Sequence, residues 1–300
     1  MSETKIYCDG SRSWIHDFLT NPGVDDKSNN IVNMIVEIPK GTNRKMEMSV
    51  YELYNPIKQD KKRGKPRLVP AQKHKGVESD FKELSIFNAD DPGDEHKELC
   101  DRFIINFYKD IFGDDFNGYN LFSYGAIPQT FENDNIMLDG TNDLFQPLET
   151  LLEEGINKVK GDGDPLDICL LNDNKTRKIG DIVKVEVIGV FPMIDEGEID
   201  WKIVAIPKNT DDHIKVVKNN LEELDEEIFK AKCWFKYYKD DDKDQRKGEK
   251  VQIGKMLSKE IAIDVIDHCK LDYQGIVNGQ ISNKLIRKGG NENNELAGSA

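Results

Sequence analysis

The sequence predicts a mainly β protein, with an antiparallel sheet or small barrel at its centre and helices around it. Residues 182–190 (IVKVEVIGV) are rich in β-branched side chains, which favour strands. Residues 31–38 (IVNMIVEI) alternate their side chains between two faces, and residues 199–206 (IDWKIVAI) form a third apolar run. Because these strands are short and separate, they favour an antiparallel arrangement over a βαβ repeat.

Side-chain alternation also places charged residues next to each other. In the short strand KMEM, Lys45 and Glu47 are two residues apart, so both are expected to point away from the core into a cleft. Asp200 and Lys202 share one face of the third apolar run in the same way. The sequence therefore predicts acids and bases side by side on the same strands.

Amphipathic patterns predict four helices outside the β-rich region. The apolar stripes are Leu99, Phe103, Phe107 and Ile111 within 94–112; Leu148, Leu151, Leu152 and Ile156 after Pro147; Leu221, Leu224 and Ile228 after the candidate cap Asn220; and Ala262, Val265, Ile266 and Cys269 near 259–269. Packing against the core is the simplest explanation of all four stripes.

Composition excludes several classes of function. The chain has 300 residues and a formal net charge of −14, whereas proteins that bind nucleic acids or membrane surfaces need basic faces. No segment approaches the roughly 20 apolar residues of a membrane helix, and the polar start lacks the apolar core of a secretory signal. The five cysteines form no CxxC pair, which is typical of free thiols in a reducing compartment. We therefore expect a cytoplasmic protein.

The most informative motif is the run DGDPLD. It places Asp162, Asp164 and Asp167 within six residues. In an extended segment Asp162 and Asp164 would share a face, and Pro165 would break the strand so that Asp167 could turn back toward them. Converging carboxylates repel one another, and hard divalent cations such as Mg²⁺ are their natural partners.

Two other interpretations of this run remain open at this point. It could be a solvated acidic loop, since the chain has 56 Asp and Glu residues. A calcium-binding EF-hand loop fits poorly, because its fifth, sixth and twelfth positions would hold Leu166, Asp167 and Asp173 in place of Asp or Asn, Gly and Glu.

Other charged segments accompany the motif. The run DEGEIDWK places Asp195 before a turn at Gly197 and Asp200 after it, an arrangement that could also be a charged hairpin tip. Arg67 ends the basic stretch KKRGKPR, which alone would be a solvated charge run, and WFKYYK contains Tyr238 and Lys239.

Together these segments resemble the soluble family I inorganic pyrophosphatases of eukaryotic type. VEIPKGTNRKMEM, NPIKQDKKRGKPR, YGAIPQTFE, GDGDPLDI, IDEGEIDWKIVAI and WFKYYK all look like family segments, in the family's order, across roughly residues 30–240. The resemblance implies a five-stranded OB-like β-barrel with flanking helices and helical insertions. It also implies hydrolysis of pyrophosphate to two orthophosphates by a water that several Mg²⁺ ions activate.

The resemblance also implies roles for individual residues, each by its match to a family motif. The metal ligands are Asp162, Asp164, Asp167, Asp195, Asp200 and Glu47, with Asp164 also the proton acceptor. The substrate-binding residues are Lys45, Arg67, Lys202, Tyr238, Lys239 and Tyr119, and the supporting residues are Glu37 and Tyr124. Mn²⁺ and other divalent ions are candidate substitutes for Mg²⁺, Ca²⁺ is expected to inhibit, and a homodimer follows from family analogy.

The chain departs from the family pattern in three places. The family's first tyrosine of Y-x-x-x-Y should stand at position 120, where Asn120 is found, so Tyr119 is one residue early. The connections from Arg67 to Tyr119 and from Thr130 to Asp162 are longer than usual. We expect a single domain over 1–278 with insertions near 70–118 and 135–160, and a disordered tail over 279–300.

Two rival functions remain in view. A different two-metal enzyme acting on nucleotides or phosphoesters would need a base- or sugar-binding pocket, for which the sequence offers no motif. A non-catalytic Ca²⁺- or Mg²⁺-binding protein on the same fold would be favoured by loss of the key acids or bases, and these are present.

Overall fold

The computed structural model describes residues 30–42, 44–49, 56–62, 65–66, 121–135, 137–208, 221–237 and 251–281. The strands are β1 (Ile31–Ile38), β2 (Met46–Met48), β3 (Ile57–Gln59), β4 (Lys61–Lys62), β5 (Lys65–Pro66), β6 (Ser123–Ala126), β7 (Met137–Asp139), β8 (Lys158–Lys160), β9 (Asp167–Leu170), β10 (Ile182–Phe191), β11 (Met193–Asp195), β12 (Glu198–Ile199), β13 (Lys202–Pro207) and β14 (Gln252–Ile253). The helices are α1 (Gln146–Glu149), α2 (Leu221–Tyr237) and α3 (Lys259–Val277).

Five strands close into a barrel in the order β1-β10-β13-β9-β6. All neighbouring pairs are antiparallel except β13 with β9, which run parallel. The predicted five-stranded barrel with flanking helices is confirmed. The parallel pair sets Lys202 opposite Asp167, so it brings the predicted base and the predicted acid together.

Strand β1 has the predicted bounds, but its faces differ from simple alternation. Val32, Met34 and Val36 pack in one core cluster, as the alternation predicts. Ile38 packs in the other cluster with Ile35, because the register with β6 shifts between Val36 and Ile38. This irregularity changes the direction of the strand end and carries Glu37 toward β2.

The predicted strand 199–206 is divided in the structure. Strand β12 ends at Ile199 and β13 begins at Lys202, so Asp200 and Trp201 lie in the link between them. The backbone N–H of Asp200 donates to the carbonyl oxygen of Met193 at 3.0 Å, which joins the link to β11. Asp200 therefore lies at the end of the barrel rather than within its wall.

The predicted late helix is present and longer than predicted. Helix α3 continues to Val277, and its predicted stripe is buried: Ala262, Val265, Ile266 and Cys269. In helix α2, Leu224 and Ile228 are partly buried against the core, as the stripe predicts. Asn220 and the 94–112 pattern lie outside the described residues.

The helix predicted after Pro147 is much shorter than its apolar pattern. Helix α1 ends at Glu149, and the chain then turns toward Gly155, which has φ +92°. Leu148 is fully buried, whereas Ile156 is 44% exposed. The prediction of a helix over 147–156 was therefore wrong, because the chain continues through turns after Glu149. None of the three described helices has the length and apolar character needed to span a membrane.

Candidate active site

The DGDPLD run forms a turn between β8 and β9, not an extended segment. Gly163 has φ +87°, a conformation that favours glycine, and the N–H of Asp164 donates to Oδ1 of Asp162 at 2.9 Å. Strand β9 starts at Asp167. The expectation of an extended run was wrong, yet the turn still brings the three aspartates together at one end of the barrel.

Lys202 lies at the centre of this acidic group. The residue is 2% exposed, and its ammonium contacts the carboxylates of Asp167 and Asp200. The same nitrogen lies 3.0 Å from the hydroxyl oxygen of Tyr124, which itself donates to Asp167. The ammonium is thus held by two carboxylates and a phenol at the open end of β13.

A second wall of the site comes from β1 and the strand β2 that follows it, where Glu37 lies near Asp167 and Asp164. Oε1 of the buried Glu37 accepts the N–H of Met48 at 2.6 Å, which ties β1 to β2. Lys45 pairs with Glu47, as the shared face predicts, and its ammonium lies 3.6 Å from Asp60. This wall therefore presents both an acid and a base.

Asp195 belongs to a tight hairpin between β11 and β12. Asp195 pairs with Glu198, and the two residues between them, Glu196 and Gly197, have φ +52° and +82°. Positive φ at both central positions is the type I′ pattern that suits a two-residue hairpin. The carboxylate of Asp195 is close enough to contribute to a raised pKa at Asp200.

Several acids of the site have raised pKa values. Burial, followed by the attraction of Lys202 and the repulsion of Asp167, leaves the pKa of Asp200 raised to about 6. Asp164 is open to solvent on one side, but the surrounding protein atoms and then Asp167 raise its pKa to about 7. Burial also raises the pKa of Asp162 and of Glu37. Such groups gain stability from a nearby cation when they are ionised.

Glu132 is an acidic residue of this site that the sequence reasoning missed. One oxygen each of Glu132, Asp162 and Asp200 lie within 4.8 Å of one another. Oε2 of Glu132 is buried and has no hydrogen-bond partner among the described residues. Three converging carboxylates, one with an unsatisfied oxygen, provide the donor set that hard divalent cations prefer, so these residues fit Mg²⁺ or Mn²⁺.

Phe235 of α2 was also missed, although it lies in the quoted segment WFKYYK. Its ring faces the ammonium of Lys202 and the ring of Tyr124. Its position in WFKYYK is the one sequence signal that could have indicated Phe235 as a site residue. The corresponding signal for Glu132 is its position as the last residue of YGAIPQTFE.

The structure brings together the described members of the predicted site: Asp162, Asp164, Asp167, Asp195, Asp200, Glu47, Lys45, Lys202, Glu37 and Tyr124. Four predicted site residues lie outside the described residues: Arg67, Tyr119, Tyr238 and Lys239. The roles of all these site residues, described or not, stay predictions.

Comparison with known proteins gives a consistent result. The family model for inorganic pyrophosphatase matches residues 34–274. The chain is 28% identical to an inorganic pyrophosphatase of Candida albicans over 280 residues, 92% of this chain and 76% of that protein. It resembles the solved inorganic pyrophosphatase of Schistosoma japonicum with a TM-score of 0.56 and 27% identity, over 89% of this chain and 74% of that one.

A further solved relative contains a bound ligand. The vacuolar soluble pyrophosphatase of Trypanosoma cruzi, without its N-terminal domain and in complex with PPi, has a TM-score of 0.53 and 25% identity. That match covers 92% of this chain and 78% of the other. Because the family model spans most of the sequence, this chain belongs to the inorganic pyrophosphatase family.

Proposed function

We propose that this chain hydrolyses inorganic pyrophosphate to two orthophosphates and uses Mg²⁺ as its cofactor. The observation that carries the proposal is that Lys45 and Lys202 lie beside an acidic wall at one end of the barrel. The acidic wall consists of Asp162, Asp164, Asp167 and Asp200. Family membership and the solved relative in complex with PPi support the same conclusion. A compact polyanion needs cations around it, and this end of the barrel can supply both metal ions and ammonium groups.

The proposed metal ligands are those named from the sequence: Asp162, Asp164, Asp167, Asp195, Asp200 and Glu47. Bound Mg²⁺ ions would lower the pKa of a coordinated water and neutralise charge on the substrate. Lys202 contacts Asp167 and Asp200, so it holds these two acids close together before substrate arrives. The oxygen-only donor set favours Mg²⁺ or Mn²⁺ over softer metals.

Asp164 is the proposed proton acceptor. It is the exposed member of the aspartate turn, so it faces the space where substrate and water can enter. Its pKa of about 7 is near neutral, where a general base combines adequate basicity with sufficient ionisation. We expect its carboxylate to take the proton of the attacking water.

The proposed phosphate contacts are Lys45, Lys202, Arg67, Tyr238, Lys239 and Tyr119. Lys202 contacts Asp167 and Asp200. Lys45 pairs with Glu47 on its own strand and is near enough to Asp164 to offset part of the rise in the pKa of that carboxyl. An ammonium group acts as a point charge on phosphate oxygens and stabilises charge that develops on the leaving phosphate.

We further propose a single catalytic domain over 1–278, a homodimer, and a location in the cytoplasm. Analytical ultracentrifugation of the full chain tests the dimer, and fluorescence microscopy of the tagged chain tests the location. Deletion of residues 78–112 tests the proposed insertion. An unchanged melting temperature, activity and sedimentation coefficient would contradict a structural role for that segment.

The decisive experiment is phosphate release from pyrophosphate with Mg²⁺, measured for the wild type and for Asp164→Asn. We expect rapid release by the wild type and a loss of at least about a hundredfold in the variant, because general-base catalysis contributes about 10²–10⁴-fold. The matched control is Asp267→Asn, an exposed carboxylate on α3 that pairs with Lys270.

Two results would contradict the proposal. A folded wild type that releases no phosphate from pyrophosphate would contradict the proposed reaction. Faster release from ATP than from pyrophosphate would instead indicate an enzyme for nucleotides. Substantial activity in Asp164→Asn would remove the assignment of Asp164 but leave the reaction standing.

A further inference from the structure

Glu132 is attached by its backbone to the aspartate turn. Its N–H donates to the carbonyl oxygen of Asp164 at 2.9 Å, and its own carbonyl accepts the N–H of Gly163 at 2.9 Å. The next residue, Asn133, accepts the N–H of Gly161 at 3.0 Å. Three hydrogen bonds therefore fix the segment that carries Glu132 against the segment that carries Asp162 and Asp164.

The side chain of Glu132 reaches the other carboxylate-bearing segment. Its Oε1 accepts the backbone N–H of Trp201 at 2.9 Å, directly after Asp200. Glu132 thus contacts both segments that supply the acidic wall, one through its backbone and one through its side chain. A residue in this position can control the separation of Asp162 and Asp200.

The second oxygen of Glu132 lacks a partner. The residue is 3% exposed, and Oε2 makes no hydrogen bond to any part of the chain that the structure describes. A buried carboxylate oxygen without a partner is costly, and a bound cation is one way to satisfy it. One oxygen of the Glu132 carboxylate lies within 4.8 Å of an oxygen of Asp162 and an oxygen of Asp200, and these three residues would form such a site.

Charge balance also favours a cation here. The ammonium of Lys202, the base among these acids, directly contacts both Asp167 and Asp200. One ammonium shared among Glu132, Asp162, Asp167 and Asp200 leaves the group with excess negative charge when all four are ionised. A divalent ion between Glu132, Asp162 and Asp200 would offset that excess.

We propose that Glu132 is a further divalent-cation ligand, which forms an inner cation site with Asp162 and Asp200. The inference deepens the proposed function and rests on it for the choice of Mg²⁺ or Mn²⁺ as the ion. The inner ion joins the aspartate turn to the link after β12, so it holds the two halves of the acidic wall at a fixed separation.

The test is direct binding of Mn²⁺ to the full chain without substrate, measured by calorimetry and by electron paramagnetic resonance. Glu132→Gln keeps the side-chain volume and an acceptor for the Trp201 N–H, but it loses the carboxylate. We expect this variant to lose one bound Mn²⁺ or to bind it at least about tenfold more weakly. The matched control is Glu186→Gln on β10, which we expect to bind Mn²⁺ like the wild type.

Glu132→Asp gives a second measurement that does not depend on the glutamine variant folding. It keeps the charge but withdraws the carboxylate by one methylene, so we expect intermediate affinity. In crystals of the wild type soaked with Mn²⁺, anomalous scattering should place an ion about 2.1–2.3 Å from an oxygen of Glu132. An ion on Asp162 and Asp200 that leaves Glu132 beyond about 3.5 Å would overturn the inference.

The outcomes separate this inference from the proposed reaction. Equal number and affinity of Mn²⁺ in Glu132→Gln and wild type would overturn the inference, while hydrolysis of pyrophosphate by the wild type would stand. Loss of Mn²⁺ in the variant, together with no hydrolysis by a folded wild type, would support the inner site and remove the proposed reaction.

Discussion

The centroid of the Phe235 ring on α2 lies 5.6 Å from the ammonium nitrogen of Lys202 on β13. The ring of Tyr124 lies at the same 5.6 Å from that nitrogen, and the two ring centroids are 6.1 Å apart. An ammonium over aromatic faces is stabilised by the ring quadrupoles, and more so where water is excluded. Phe235 therefore connects helix α2 to the charged centre of the site.

Replacement of Phe235 by Leu should lower kcat/KM for pyrophosphate by about 2–30-fold, because a cation–π contact is worth about 0.5–2 kcal/mol. The measurement is steady-state phosphate release, with the melting temperature recorded alongside. Phe122→Leu is the matched control, since the Phe122 ring packs at a tilt against Phe235, with their centroids 5.7 Å apart, in the same core cluster. Equal loss of kcat/KM in both variants would show that packing alone explains the effect.

Gly161→Ala should destabilise the protein and impair catalysis. A Cβ at Gly161 would stand 2.4 Å from the carbonyl carbon of Glu132 and 2.5 Å from its oxygen, so the two segments would have to separate. We expect a loss of about 2–4 kcal/mol in the free energy of unfolding, measured by chemical denaturation.

The control for this change is Gly140→Ala, where a Cβ meets nothing within 4 Å. It should alter the free energy of unfolding by less than about 1 kcal/mol. A similar loss in the two variants would contradict the close approach of Gly161 to Glu132.

The melting temperature of EDTA-treated protein should fall as pH rises from about 5 to about 8. Asp164 and Asp200 have folded-state pKa values of about 7 and about 6, against an ordinary value of 3.8 for an aspartate. A raised carboxyl pKa gives stability that is complete below the unfolded pKa and lost as pH rises through the folded pKa. Scanning fluorimetry across this range measures the slope.

Mg²⁺ should oppose this trend, because it binds the ionised carboxylates, so its stabilising effect should grow with pH. Asp200→Asn is the control, and it should flatten the slope in EDTA. A melting temperature that rises with pH in EDTA-treated wild type, over the same range, would contradict the pKa assignments.

Removal of metal should abolish hydrolysis, and Mg²⁺ should restore it. Ca²⁺ alone should support a rate at least about tenfold lower, because Ca²⁺ takes more ligands at about 2.3–2.6 Å, whereas Mg²⁺ needs near-octahedral geometry at about 2.0–2.1 Å. Ca²⁺ added to the Mg²⁺ enzyme should therefore inhibit phosphate release. Full turnover with Ca²⁺ would contradict a site whose spacing is set by fixed carboxylates.

The sequence predicted the strands with clear alternation or β-branched composition. Strand β1 has the predicted bounds, and β10 extends only to Phe191 beyond the predicted 190. The break between β12 and β13 was not predicted. Ile199 and Trp201 are both apolar and buried, so residues 199–206 have the pattern of a single strand. Apolar spacing also predicted a helix after Pro147 that would reach Ile156, whereas the helix ends at Glu149 and turns follow it.

Prediction of the site depended on which contacts are local in sequence. The pairing of Lys45 with Glu47 and the turn at Gly197 could be predicted from residues that are close together in the sequence, and the structure has both. The position of Glu132 depends on hydrogen bonds to Asp164 and Trp201, which are distant in sequence, so no local pattern indicated it. The cation–π contact of Phe235 likewise depends on how α2 packs against the barrel.

The parallel pairing of β9 with β13 bears on how the protein acquires its activity during folding. Asp167 and Lys202 are 35 residues apart, and parallel strands cannot be joined by a tight hairpin. Between them the chain must first make β10, which lies next to β13 in the barrel. Until β13 docks beside β9, the aspartates of the turn repel one another without the ammonium of Lys202. Recovery of hydrolysis during refolding should therefore follow barrel closure, and a nascent chain should be inactive until that step is complete.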